Sequence, residues 1–258
     1  MYDYQEVLRR MVGSPDYADV DISHVLHTRE LLPADQKVQV DLVFNARLFH
    51  DWNRSTFSQK LLIQWDNNEP TTIAGVSPLS GFCADLVRNM ETEPEFLTTV
   101  WFCGLHIDPV EPQTAVGGRA MVASLIDQLL RCHHFDMQKV RQEINTAFVQ
   151  QGKIRELIKL LGWLIRRLPA DITLLCIIDG VVMFEREEFR RKASMVFSSL
   201  LTTCNDRAIS STLKVLFTST PGTGLTRAAF EPQGLILDAG RLRARALEPL
   251  QWWRQWNQ

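Results

Sequence analysis

Leu174-Leu175-Cys176-Ile177-Ile178-Asp179-Gly180 decides how this chain is read. The run is apolar without interruption, as in a strand covered on both faces, and it ends in an acid and a glycine. Three further stretches are arranged around it. Leu61–Trp65 reads as a buried strand leading to Ser77-Pro78-Leu79-Ser80-Gly81-Phe82-Cys83. Leu97–Gly104 is apolar and β-branched, hence another strand. Lys214-Val215-Leu216-Phe217-Thr218-Ser219 is a strand that ends in hydroxyls.

Helical patterns separate these strands. Ser77-Pro78 reads as a helix start, serine as cap and proline at the first helical position, and the helix should run to about Met90. Arg119–Cys132 is strongly periodic, and helices are expected over Met137–Gln150, Ile154–Leu168 and Glu185–Cys204. Leu235–Leu237 reads as a short strand. Ahead of the first strand, residues 1–12 read as an amphipathic helix, Ser23–Leu32 as a helical turn, and the stretch from Pro33 to about Trp52 as one longer helix. Alternating strands and helices specify an α/β fold: a parallel sheet of about five strands, sandwiched by helices, with a helical N-terminal segment. The expected organisation is residues 1–56 as that segment, 57–240 as the α/β domain and 241–258 as a Trp-rich helix. Ligands of such sheets bind beyond the carboxyl ends of the strands.

Composition narrows the function classes. At 258 residues the chain is long enough for one large α/β domain. A formal net charge of −2 lacks the basic excess expected for binding nucleic acid or an anionic membrane. No apolar run reaches the roughly 20 residues that span a bilayer, and the polar start carries no signal-peptide pattern. Five dispersed cysteines suit reduced thiols and an intracellular, cytoplasmic location.

The ordered set of motifs resembles the P-loop NTPases of the NACHT/STAND class found in fungal signalling proteins. The residues that carry the resemblance span roughly positions 45–240: Val100-Trp101-Phe102-Cys103-Gly104, the helix Met121–Leu130, Ile177-Ile178-Asp179-Gly180, and Phe217-Thr218-Ser219-Thr220-Pro221. The resemblance implies a P-loop-like sheet and a nucleotide site at Ser77, Ser80, Gly81, Asp179 and Thr218, with ATP or ADP as a weakly held ligand. It also exposes departures. Phe82 stands where the family's phosphate-binding lysine stands, Cys83 in the magnesium-binding Ser/Thr position, and Val76 at the first glycine. The acids that follow the strand-end aspartate map to Val182 and Met183, and the strand-end arginine to Thr220. Without lysine the terminal phosphates lose their main counter-charge, and without the second acid a lytic water loses its base. The expectation is therefore a catalytically inactive NTPase-like module, with no catalytic residue, acting through a protein partner. The alternative is a nucleotide-switching or weakly active ATPase using Lys60 or Lys153 as a substitute.

Other constellations stand beside it. Ser219-Thr220-Pro221-Gly222-Thr223-Gly224-Leu225-Thr226 looks like a second phosphate loop with Leu225 in the lysine position, or else a Pro-Gly turn after a strand. Cys103, His106 and Asp108 cluster at a strand end, and Cys132, His133 and His134 at a helix end, but neither has paired metal-ligand spacing. No metal is expected; His106 is expected to satisfy backbone groups in its own loop. Trp252, Trp253 and Trp256 are the candidate interaction residues, Trp252 and Trp256 sharing one helix face.

Overall fold

The computed structural model describes residues 4–66, 70–108 and 115–242. In chain order these form α1 (Tyr4–Val12), α2 (Tyr17–Thr28), α3 (Ala34–Phe44), α4 (Arg47–Arg54), β1 (Gln59–Gln64), α5 (Pro78–Met90), β2 (Phe96–Phe102), α6 (Gly117–Cys132), α7 (Val140–Glu143), α8 (Thr146–Gln150), α9 (Ile154–Ile165), β3 (Thr173–Asp179), α10 (Glu187–Cys204), β4 (Thr212–Ser219) and β5 (Ile236–Asp238). The sheet has five strands, all parallel, in the order β2-β3-β4-β1-β5. The α/β class is as the strand–helix alternation requires.

Strand alternation divides the core into two layers. Leu62, Trp101, Cys176, Ile178, Val215 and Phe217 join the cluster built with α1, α6, α9 and α10. Leu61, Ile63, Phe102, Ile177 and Leu216 join the cluster built with α2, α3, α4 and α5. Apolar runs without polar alternation follow from this, because neither face of the sheet is wet. The N-terminal segment contributes to both layers: α1 packs on α6, whereas α2, α3 and α5 pack together across the sheet.

Two expected helices are broken. The stretch after Pro33 divides into α3 and α4 because Ala46 is extended (φ −73°, ψ 130°). The break brings Phe44 and Phe49 together edge to face at 5.8 Å and carries Trp52 to the first strand, where its indole N–H donates to Gln59 O at 3.2 Å. The stretch 137–150 divides at Ile144, also extended, and Asn145 caps α8 by accepting from the Phe148 N–H. In both places burial of apolar side chains prevails over continued helix periodicity. In the other direction, α2 starts at Tyr17, six residues before the expected turn at Ser23.

The edge of β2 is partly closed by a side chain. Val100 N–H donates to Gln128 Oε1 at 2.8 Å, and Gln128 Nε2 donates to Val100 O at 2.9 Å. One amide thus takes the place of a neighbouring strand, which blunts half of an exposed edge.

Lys214 faces inward beneath α4, 2% exposed, and donates to Trp52 O at 2.7 Å and Phe57 O at 3.0 Å. Burial pushes its ammonium from 10.5 down to about 8. Folding then disfavours the charged form below about 8, and the penalty fades as pH rises from there toward 10.5. Lys214→Met should flatten this rise when urea-unfolding free energy is measured against pH. An unchanged slope in the variant would refute the assignment.

Candidate functional site

The chain leaves β1 toward one face of the sheet, through α5, and leaves β3 toward the other, through α10. Departures to opposite faces open a crevice at the carboxyl ends of the strands. Ser77 and Ser80 start α5, Asp179 ends β3, and Thr218 lies near the end of β4. All four are buried, and they meet there.

Asp179 is the centre. Its Oδ2 accepts from the Ser80 hydroxyl at 2.7 Å and its Oδ1 from the Thr218 hydroxyl at 2.5 Å. The Thr218 oxygen in turn accepts from Gly180 N–H at 3.2 Å, and the Ser80 oxygen from Ser77 N–H at 3.0 Å. Both hydroxyl oxygens are therefore engaged as acceptors and direct their protons at Asp179. Both carboxyl oxygens are thus hydrogen-bonded. Burial still pushes Asp179 above the usual carboxylate range, against the pull of the Thr218, Ser80 and Gly180 hydrogen bonds. Among the described residues no ion pair reaches it. Cys83 and Cys103 are both fully buried, and their thiols are raised well above the usual range, first by burial and then by the Asp179 charge. Neither is a thiolate nucleophile.

The segment that would cradle a phosphate is closed. Ile73 and Val76 exchange both backbone bonds, 2.9 and 2.8 Å, around Ala74 and Gly75, whose φ values are 47° and 80°. This is a two-residue hairpin turn of the kind with left-handed central residues. Gly75 lies against Gly104 at the end of β2; a Cβ on Gly75 would stand 2.4 Å from Gly104 O. The start of α5 is occupied as well. Pro78 has no N–H, Ser80 N–H donates to Ser77 Oγ at 3.2 Å, and Gly81 N–H donates to Ser77 O at 3.3 Å. The two serines form a reciprocal capping box.

The remaining positions point elsewhere. Phe82, which the resemblance would set at a lysine position, packs on Phe44 and Phe49 at 4.6 and 5.5 Å, in the layer beneath α3 and α4. The open side of Gly81 faces Arg29, not Asp179. Lys60 lies in the first half of β1, paired with Val215, at the opposite end of the strand from Ser77. Thr220 is buried, and its hydroxyl has no partner among the described residues. Trp252, Trp253 and Trp256 lie outside the described residues.

Glu185 does not begin α10, which starts at Glu187. Its carboxylate turns to the loop after β4 and accepts from the Thr223 hydroxyl, from Gly224 N–H at 3.2 Å and from Thr226 N–H at 2.7 Å. The second phosphate-loop-like string is therefore a nest of donors around the chain's own anion. Burial works against the charge, but the Thr223 and Thr226 bonds outweigh it and hold Glu185 below the usual carboxylate range.

His106 also finds a distant partner. Its Nε2 lies 2.7 Å from Asp21 Oδ2 and its Nδ1 3.0 Å from Ala115 O, with the ring stacked on Trp101 at 3.9 Å. The backbone partner, Ala115, lies beyond the 104–112 loop expected to supply it, and Asp21 carries no local signal, being 85 residues away. Among the described residues no three His, Cys, Asp or Glu side chains converge on a metal site, and no helix is long and apolar enough to cross a membrane.

Two outcomes follow from this geometry. Asp179→Ala strands two buried hydroxyls and should lower unfolding free energy by about 1–3 kcal/mol, whereas Asp179→Asn keeps one acceptor and should lose less; equal losses in a chemical denaturation series would contradict the cluster. Glu185 contributes stability that is present above its ordinary value of 4.5 and lost as pH falls through its lowered one. Glu185→Ala should therefore lower Tm at neutral pH and make the acid limb of a Tm–pH curve shallower.

Compared with protein-family models the chain matches none, and no curated protein matches it.

Proposed function

We propose that this chain is a catalytically inactive NTPase-like module of the NACHT/STAND kind that works through protein–protein contact. One observation carries the reading. Asp179, the acid that would orient a metal-bound nucleotide, is engaged on both oxygens by Ser80 and Thr218 inside a buried cluster. The amides of Ile73, Val76, Ser77, Ser80 and Gly81 are bonded to the chain itself, in the Ile73–Val76 turn and the Ser77/Ser80 capping box. Val182 and Met183 bring no acid beside Asp179, and Lys60 stands at the wrong end of its strand. A protein partner, not nucleic acid or membrane, is the natural ligand of a module with this chemistry and a net charge of −2. Five free cysteines, four of them buried, support a reducing, cytoplasmic setting.

Magnesium-ATP titrated into the full chain tests the reading. A nucleotide at 100 times its Kd would stabilise the fold by about 2.7 kcal/mol. The expected result is no thermal shift at millimolar ATP or ADP and no phosphate release above a protein-free control. Release that disappears in Asp179→Ala would establish the nucleotide-switching or weakly active ATPase instead.

A further inference from the structure

We infer that the open half of the β2 edge is a strand-addition site for an extended basic–apolar peptide of a partner protein, an inference that rests on the protein-contact reading above. Among the described residues β2 pairs with β3 on one side and with no strand on the other. In a parallel ladder the N–H and C=O of every second residue face the same side. Those of Val100 face outward, where Gln128 takes both. Those of Thr98, two residues earlier in the same strand, face outward too. Thr98 is half-buried, and among the described residues its N–H and C=O have no partner. A donor and an acceptor are thus presented in the arrangement that Gln128 already satisfies one step along the strand.

The surroundings say what fits. A groove of about 350 Å³ runs along this edge, with Ile22, Val87 and Val100 giving it an apolar floor. Asp19 and Glu91 stand on its rim, their side chains 68% and 42% exposed. Glu93 and Glu95 precede the strand in the same stretch. Two cations stand among them: Arg131 pairs with Asp16, with Asp19 at 3.9 Å and with Asp127 at 3.0 Å, and Arg88 pairs with Glu91 at 3.6 Å. The carboxylates of Asp16, Asp19, Glu91, Glu93 and Glu95 still outnumber these two cations. The rim is acidic, so it repels nucleic acid. It also opposes edge-to-edge pairing with a second copy, which would set these carboxylates against their own kind. A peptide alternating Lys or Arg with Val or Leu meets all three features. Its backbone pairs with Thr98, its apolar residues enter the groove and its cations face the rim.

The test uses the full chain and the peptide acetyl-Lys-Val-Lys-Leu-Lys-Val-Lys-amide, with two controls: its Lys→Glu counterpart and a backbone N-methylated form. Anisotropy should show saturable binding of the first and none of the controls. Hydrogen exchange at the Thr98 amide should be fast in the free chain and slowed by the peptide. Thr98→Pro, tolerated on an edge strand, and Glu91→Lys should each weaken binding by roughly fivefold or more while circular dichroism stays unchanged. A Thr98 amide that is already protected in the free chain would mean that the chain's own residues or a second copy cover the edge, and the inference falls. It falls equally if the N-methylated form binds as well, or if Glu91→Lys leaves affinity unchanged. Peptide failure with no ATP binding removes this site and leaves the inactive-module reading intact. ATP hydrolysis with Thr98 protection does the reverse.

Discussion

The Asp179 carboxylate is the constraint on which the carboxyl-end surface of this molecule depends. It is a buried acid whose neighbours are hydroxyls and thiols. A charge in that setting is tolerated only when each oxygen is hydrogen-bonded. Ser80 and Thr218 meet the requirement, and in doing so they tie the start of α5 and the end of β4 to the end of β3. The same pair of bonds explains the local geometry of α5. Ser80 donates to Asp179 because its own oxygen is held by Ser77 N–H, and Ser77 is held there by the reciprocal cap.

A second theme is self-occupation. Donors that in a ligand-binding sheet would face an external anion are here satisfied from within. The capping box and the tight Ile73–Val76 turn do this before α5. Glu185 does it for the loop after β4, where a hydroxyl and two amides surround its carboxylate. Exposed donors would remain hydrated and available to a ligand; donors closed by side chains of the same chain are rigid and already neutralised. Among the described residues the Asp179 cluster in that crevice is closed by the chain's own side chains, and an open backbone step lies along the β2 edge. There Gln128 closes one step of the ladder and leaves the next one open.

Much of this was legible in the sequence because it depends on neighbours a few residues apart. Buried strands reveal themselves as unbroken apolar runs, so β1, β3 and β4 were read within a residue or two. Ser77-Pro78 marked the start of α5 because capping is a property of consecutive residues. The convergence of Ser77, Ser80, Asp179 and Thr218 at one end of the sheet followed from their places after strands, although the resemblance, not periodicity, singled them out. Where long-range packing competed with periodicity the reading failed. The helix breaks at Ala46 and Ile144 arise because rings such as Phe44 and Phe49 gain more from meeting than from continuing one helix.

By itself, then, the sequence determined the α/β class and the positions of the strands, and placed Phe82, Val182 and Met183 where the resemblance would put a lysine and acids. Tertiary structure alone decided the strand order, the closure of Asp179 by residues 99 and 39 positions away, the capture of Glu185 by a loop 38–41 residues on, and the pairing of His106 with Asp21 across 85 residues. The physical reason is the range of the forces involved. Periodicity and capping act within a turn or two of chain, whereas desolvated charges and aromatic rings take whichever partner the folded sheet brings within a few ångströms.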